Sequence, residues 1–66
     1  MAMTLKAARV NKGLTQAQAA DKLGVSIDTI RKYEAGVTFP NVKTIKMIEK
    51  LYGIGYNDID FSFAEK

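Results

Sequence analysis

The strongest constraint on the fold is a set of four glycines that divide the chain into short segments of helical character. They are Gly13, Gly24, Gly36 and Gly53. A residue that commonly caps the start of a helix stands about ten residues before each glycine, and these residues are Thr4, Thr15, Ser26 and Asn41. Glycine accepts the left-handed backbone that often follows a helix. The pattern predicts four helices of roughly 8–12 residues, with a short fifth turn around residues 56–59.

Apolar residues recur inside these segments at the spacing of one helix face. In the fourth segment they form a stripe of Val42, Ile45, Ile48 and Tyr52. The connections are short, so consecutive helices must pack on each other. A length of 66 residues leaves room for one domain. We therefore expect an all-α bundle of four to five helices over residues 1–60, followed by a C-terminal tail at 61–66.

The composition removes several classes of function, because the chain contains no Cys and no His. Thiolate zinc sites and disulfides are excluded, and the commonest general base and metal ligand is missing. We expect no enzyme, no metal site and no cofactor. The chain has no apolar run of membrane-spanning length and no signal-peptide core, which predicts a cytoplasmic protein. The net charge of +3 permits a nucleic-acid partner but is weak evidence for one.

Residues 15–34 predict two helices joined by about three residues. Ala20 is small where the second helix must cross closely, Gly24 makes the tight turn, and Ile30 anchors the second helix to the core. These are the requirements of a helix-turn-helix, whose second helix can enter the major groove of DNA.

Residues 4 to about 60 resemble the small helix-turn-helix domains of the phage repressor and Cro family, a lambda-repressor-like fold. The matching positions are Leu14-Thr15-Gln16, Ala20, Leu23-Gly24-Val25-Ser26, Ile30, Tyr33-Glu34, Gly36, Pro40 and Tyr52-Gly53-Ile54. The resemblance implies a bacterial or phage transcriptional regulator that binds a double-stranded DNA operator as a homodimer, with no membrane and no small-molecule ligand involved. Such a protein would be associated with the nucleoid when bound.

The third helix, residues 26–35, has a predicted outward face. With Ile30 facing the core and about 100° between residues, Asp28, Thr29, Arg31 and Lys32 point outward. The base-reading positions of the family correspond to Ile27, Asp28 and Lys32. Lysine can donate to guanine, aspartate can accept from cytosine, and isoleucine can pack on a thymine methyl group.

Other roles stay open for these three residues. Asp28 and Lys32 have the spacing of an ordinary ion pair on one helix, and Asp28 also suits the positive end of the helix. Ile27 could belong partly to the core. Asp28 and the uncharged segment Val37-Thr38-Phe39 favour the alternative, which is a protein-interaction module on the same fold, acting as an antirepressor or as a partner of another regulator.

Contacts with the DNA backbone are expected on both sides of the reading helix. The family uses the glutamine at Gln16, with nearby backbone N–H groups, to hold a phosphate, and helix N-termini favour anions. Further backbone or flanking contacts are expected from Ser26, Thr29, Arg31, Asn41 and Lys43.

Arg9 falls on the apolar face of the first helix, where an unpaired charge would be costly. Glu34 has the same problem on the third helix. The family pairs an arginine and a glutamate at these positions, and we expect Arg9 and Glu34 to form a structural ion pair.

The end of the chain alternates apolar and polar residues, which is typical of a strand. A lone edge strand needs a partner, and a second copy of the chain could supply it. The candidate dimer contacts are Tyr56, Ile59, Phe61 and Phe63. In the other interpretation, Ile59 and Phe61 cover the bottom of the core and the remaining residues fray.

Overall fold

Each helix of the computed structural model, which describes residues 2–60, begins directly after a predicted capping residue. The four helices are α1 (Leu5–Asn11), α2 (Gln16–Leu23), α3 (Ile27–Ala35) and α4 (Val42–Tyr52). A 3₁₀ turn follows at Tyr56–Asp58, and two short strands, β1 (Met3–Thr4) and β2 (Ile59–Asp60), stand at the two ends. The prediction of an all-α fold is confirmed, with a small strand pair added to it.

The capping hydrogen bonds explain where the helices begin. The side chain of Thr4 accepts from the backbone N–H of Ala7 at 3.0 Å, and that of Asn41 accepts from Thr44 at 2.8 Å. Thr15 forms a complete capping box, because its side chain accepts from the backbone of Gln18 and the Gln18 side chain accepts from the backbone of Thr15. These bonds satisfy N–H groups that have no partner within the helix.

The helices enclose one apolar core. Its buried members are Leu5, Ala8, Ala19, Ala20, Leu23, Ile30, Ile48, Tyr52 and Ile59. Val42 does not belong to it and is 70% exposed. The expected stripe on α4 was wrong at this residue, because Val42 lies about 120° around the helix from Ile48.

The two ends of the described chain pair with each other. β1 and β2 are parallel, with Met3 opposite Ile59 and Thr4 opposite Asp60. The strand at residue 59 therefore finds its partner within the chain, and Ile59 is only 7% exposed. This corrects the expectation that Ile59 is a dimer contact, since its side chain packs in the core of its own chain. Phe61 and Phe63 lie outside the described residues.

Within residues 2–60, no helix has both the length and the apolar character required to cross a membrane.

Candidate nucleic-acid interface

α2 and α3 meet at a tight turn that fixes their relative orientation. Gly24 ends α2 with a φ of +70°, a left-handed conformation that is costly for residues with a Cβ. The backbone N–H of Val25 then donates to the carbonyl of Ala20 at 3.0 Å, and Ser26 caps α3 through the N–H of Thr29 at 3.1 Å. Ala19 and Ala20 are almost fully buried. Their small side chains let the two helices approach closely, which produces the expected helix-turn-helix.

Three of the four residues that the helical periodicity places on the outer surface of α3 are exposed. Ile30 is 2% exposed and holds the helix to the core, whereas Asp28, Arg31 and Lys32 are exposed. Ile27 is 40% exposed, so it is a surface residue at the start of the helix rather than a member of the core.

Thr29 is less accessible to a partner molecule than the other residues of this surface. It is half-buried, and its hydroxyl lies 2.9 Å from the hydroxyl of Ser26. The two side chains thus form a small hydrogen-bonded group at the first turn of α3, next to the cap. This group supports the start of the helix, and both oxygens lie near its N-terminal end.

Asp28 and Lys32 form the ion pair that their spacing allows. The Lys32 Nζ lies 3.3 Å from an Asp28 carboxylate oxygen, and the two side chains are 50% and 67% exposed, with Asp28 the more exposed. An ion pair this open to solvent contributes little stability, about 0.3–0.5 kcal/mol. Lys32 could therefore leave Asp28 and donate to a different acceptor with little loss of folding free energy.

Arg9 and Glu34 make the ion pair that was expected between α1 and α3. The Arg9 Nε donates to Glu34 Oε2 at 2.6 Å and Nη2 donates to Oε1 at 3.3 Å. The third contact of the guanidinium is the carbonyl oxygen of Leu14, which accepts from Nη1 at 2.7 Å. The two side chains are 9% and 7% exposed, so the pair is shielded from water and links α1, α3 and the segment before α2.

Tyr52 of α4 packs close to this pair. Burial of the phenol, reinforced by the negative charge of Glu34, raises the pKa of Tyr52 to about 12. The positive charge of Arg9 acts in the opposite direction. Tyr52 is therefore neutral over the physiological range, and it provides a probe of the environment around the ion pair.

Gln16, the expected phosphate contact, has a partner that sequence reasoning missed. Its Nε2 donates to Glu34 Oε1 at 3.1 Å, which attaches the first turn of α2 to the buried ion pair. No local pattern signals this contact, since the two residues are 18 positions apart and meet only after α2 and α3 have packed.

A shallow hollow lies beside Gln16. We call it the α2 hollow, and it is lined by Lys6, Arg9, Thr15, Gln16, Ala17, Ile27 and Arg31. It combines the start of α2, whose N-terminal end carries partial positive charge, with cations from α1 and α3. Lys6 is a member that the sequence analysis did not select, although its position three residues before Arg9 places both on neighbouring turns of α1.

The other two expected backbone contacts lie at the start of α4, outside the α2 hollow. Asn41 uses its side-chain oxygen as the helix cap. Lys43 is exposed and lines a surface groove together with Lys46, Met47, Glu49 and Lys50. The residues expected to touch DNA thus fall into one set around α2 and α3 and a second set at α4.

An apolar patch occupies the neighbouring surface of α4. Phe39 is 57% exposed, Val42 70% and Tyr56 48%. Together with Pro40 and Ile45 they line one groove, which we call the α4 groove. Lys46 and Glu49 also line this groove, and the Glu49 carboxylate accepts from the backbone N–H of Tyr56 at 2.7 Å.

Comparison with known proteins agrees with this geometry. The family described as Helix-turn-helix matches residues 5–59. The HTH-type transcriptional activator BcrR of Enterococcus faecalis is 36% identical over 55 residues, which cover 83% of this chain and 27% of that protein. The SPbeta prophage-derived HTH-type transcriptional regulator YonR of Bacillus subtilis (strain 168) is 36% identical over 50 residues, 76% of this chain and 46% of its own length.

A third relative is the cryptic phage CTXphi transcriptional repressor RstR of Vibrio cholerae. It is 35% identical over 46 residues, which cover 70% of this chain and 41% of the repressor. The matched regions thus cover less than half of the length of each of these three relatives. No solved structure matches the chain significantly. The family match spans both helices of the motif and most of the domain around them, so the chain belongs to the helix-turn-helix family.

Proposed function

We propose that this chain is a transcriptional regulator of the repressor and Cro type, which binds duplex DNA through α3. The observation that carries the proposal is the outer surface of α3, where Ile27, Asp28, Arg31 and Lys32 are exposed while Ile30 is buried. A helix held to a core along one side and polar along the other fits the major groove. The three relatives are named as regulators of transcription, and the proposal extends that role to this chain.

We assign the recognition of DNA bases to the first two turns of α3. Lys32 donates to a guanine, Asp28 accepts from a cytosine, and Ile27 packs on a thymine methyl group. The exposed ion pair between Asp28 and Lys32 favours these roles, because it keeps a donor and an acceptor close together at little energetic cost.

Contacts with phosphates position the reading helix without specifying bases. Gln16, Lys6 and Arg31 line the α2 hollow and approach one stretch of the DNA backbone. Ser26 and Thr29 at the start of α3 flank it, and Asn41 and Lys43 approach the backbone from the start of α4. The cytoplasm, where the nucleoid lies, is the compartment that fits this role.

Binding as a homodimer on a two-fold operator is part of the proposal. One reading helix specifies few base pairs, and two copies about 34 Å apart would read both half-sites. The α4 groove, with the exposed side chains of Phe39, Val42 and Tyr56, is the surface assigned to self-association, because clustered exposed apolar residues commonly mark protein interfaces. Sedimentation at high concentration, with and without DNA, tests this part, and a monomer under both conditions would contradict it.

A protein-interaction module on the same fold is the second candidate. Its support is Asp28, an acidic residue on a surface that would otherwise be basic. The names of the three relatives favour the DNA-binding role instead.

Selection of bound duplexes from a random-sequence library tests the assignment of residues. A palindromic preferred site is expected. Lys32→Ala should relax the preference at one base position per half-site by about 1–3 kcal/mol, whereas Gln16→Ala should weaken binding to all sequences alike. Lys50→Ala is a matched loss of charge in the last turn of α4 and should leave the base preference unchanged. If Lys32→Ala and Lys50→Ala give the same preferences, the assignment of Lys32 is wrong.

A further inference from the structure

The carboxylate of Glu34 is shared between two side chains from different helices. Its Oε2 accepts from Arg9 Nε at 2.6 Å, and its Oε1 accepts from both Arg9 Nη2 at 3.3 Å and Gln16 Nε2 at 3.1 Å. Glu34 belongs to α3 and Gln16 to the first turn of α2. A residue of the reading helix is thus bonded directly to the residue assigned to the DNA phosphate.

The position of this carboxylate is well determined. Arg9 binds it through two donors, and the remaining Arg9 contact is the Leu14 carbonyl at 2.7 Å, one residue before the cap of α2. Because the Glu34 side chain is only 7% exposed, water competes weakly for these bonds. Charge-assisted hydrogen bonds of this kind are roughly twice as strong as neutral ones.

Such an anchor orients the amide of Gln16. An amide group carries two N–H donors at one end and an acceptor oxygen at the other. A carboxylate attracts the nitrogen end and repels the oxygen, so Glu34 selects one of the two orientations of the group. One N–H then points to Glu34, and the second stays available as a donor. Without the carboxylate the group can turn over and present its oxygen, which repels a phosphate.

The surroundings of Gln16 make this orientation matter for DNA. The side chain lines the α2 hollow together with Lys6 of α1 and Arg31 of α3. Ile27, which lines the same hollow from the first turn of α3, has an apolar side chain and offers no hydrogen bond to the amide. Glu34 supplies the acceptor from the far end of α3, seven residues later.

We propose that Glu34 is a positioning residue for DNA binding, which fixes the Gln16 amide so that its second N–H donates to a phosphate seated at the α2 hollow. The inference rests on the proposed function. It gives the Arg9–Glu34 pair a role in binding in addition to its role in stability.

A thermodynamic cycle on DNA affinity tests the proposal. The variants are Gln16→Ala, the double replacement R9M/E34M, and the triple replacement that combines them. R9M/E34M removes the acceptor of Gln16 without leaving an unpaired buried charge, and it preserves the net charge. Paired replacements of this kind are often close to neutral for stability. Each variant is checked by circular dichroism and thermal unfolding, and its affinity is measured for the duplex that the unaltered protein prefers.

The expected result is that Gln16→Ala and R9M/E34M each lower the affinity by about three- to tenfold, the size of one hydrogen bond, and that the triple replacement is no weaker than R9M/E34M. Gln18→Ala is the matched control, since Gln18 also lies in the first turn of α2 but bonds the backbone of Thr15. Its effect should be the same with or without R9M/E34M. If R9M/E34M does not fold, Glu34→Asp, which keeps the charge and withdraws the carboxylate by one methylene, takes its place in the cycle.

Other outcomes of this cycle would contradict the proposal. If Gln16→Ala has no effect on affinity, or costs as much in the R9M/E34M background as in the unaltered protein, the positioning role is wrong while DNA binding stands. If the unaltered protein binds no duplex at low salt, the proposed function fails and this inference fails with it. A readout on the free protein separates orientation from affinity: the side-chain amide of Gln16 should be ordered by ¹⁵N relaxation and should become mobile in R9M/E34M.

Discussion

Arg9 shows how far a single residue can be interpreted before the structure is known. An arginine on the apolar face of a short helix demands an acidic partner, and Glu34 was the acidic residue with the same problem. The ion pair follows from that reasoning together with the family pattern. The contacts with Leu14 and Gln16 could not be inferred in this way, since they depend on the angle at which α2 packs against α1 and α3.

Removing one member of the Arg9–Glu34 pair should lower the stability of the fold more than removing both. Arg9→Met leaves the Glu34 carboxylate buried without its cation, and we expect a loss of about 3–5 kcal/mol in the free energy of unfolding. R9M/E34M should lose less than Arg9→Met alone. Urea unfolding measures both, and a double variant that is less stable than the single variant would contradict the account.

Tyr52 predicts how stability depends on alkaline pH. Its pKa is raised to about 12 in the folded chain, against about 10 in an unfolded chain. The raised pKa stabilises the fold fully below pH 10, and this contribution of up to about 3 kcal/mol is lost as the pH rises from 10 to 12. Absorbance at 295 nm should show a tyrosine that ionises near pH 12 in the unaltered protein and is absent from Tyr52→Phe.

The control for this pH dependence is Tyr52→Phe. Strongly alkaline solution affects stability in other ways as well, so the informative quantity is the difference in unfolding free energy between the two proteins. That difference should change between pH 10 and pH 12. A constant difference would show that Tyr52 ionises equally easily in the folded and unfolded chains.

At the scale of elements, the helix boundaries were predictable because their signals are local. A capping oxygen at the start and a glycine near the end are each visible in a few residues, and the four caps formed as expected. The strand pair was only half predictable. Alternation indicated a strand at Ile59, but its partner, β1, is two residues long and has no periodicity to detect.

Gly24 and Gly55 provide a matched test of the turn between α2 and α3. Gly24 has a φ of +70°, with no atom within 4 Å of an added Cβ, so Gly24→Ala should lose about 1–2 kcal/mol through backbone conformation alone. Gly55 has an ordinary extended backbone, with φ −82°. Gly55→Ala should be neutral or slightly stabilising in chemical unfolding. Equal losses for the two variants would contradict the role given to Gly24.

For the whole molecule, the pairing of β1 with β2 joins the beginning and the end of the described chain and seats Ile59 in the core. Ile59→Ala should therefore cost about 2–4 kcal/mol in unfolding free energy. Val42→Ala is the matched control, because Val42 is apolar but 70% exposed, and its loss should be within about 0.5 kcal/mol. Similar losses would mean that Ile59 is not a core residue.

The candidate interface was less predictable than the fold. The exposure of Asp28, Arg31 and Lys32 follows from a 100° rotation per residue, whereas Thr29, which was expected on the same face, is half-buried. The α2 hollow was not, because it is assembled from α1, α2 and α3, and Lys6 joins it only once these helices have packed. A site that spans several elements leaves no local pattern in the sequence.

The salt dependence of duplex binding by the unaltered protein tests the central claim most directly. If α3 and the α2 hollow bind DNA, the logarithm of the affinity should fall linearly with the logarithm of salt concentration, with a slope of about −0.9 for each phosphate neutralised. A selected duplex should also bind more tightly than a scrambled one at every salt concentration. Absence of binding at low salt, to any member of a random-sequence library, would contradict the claim that this chain acts on DNA.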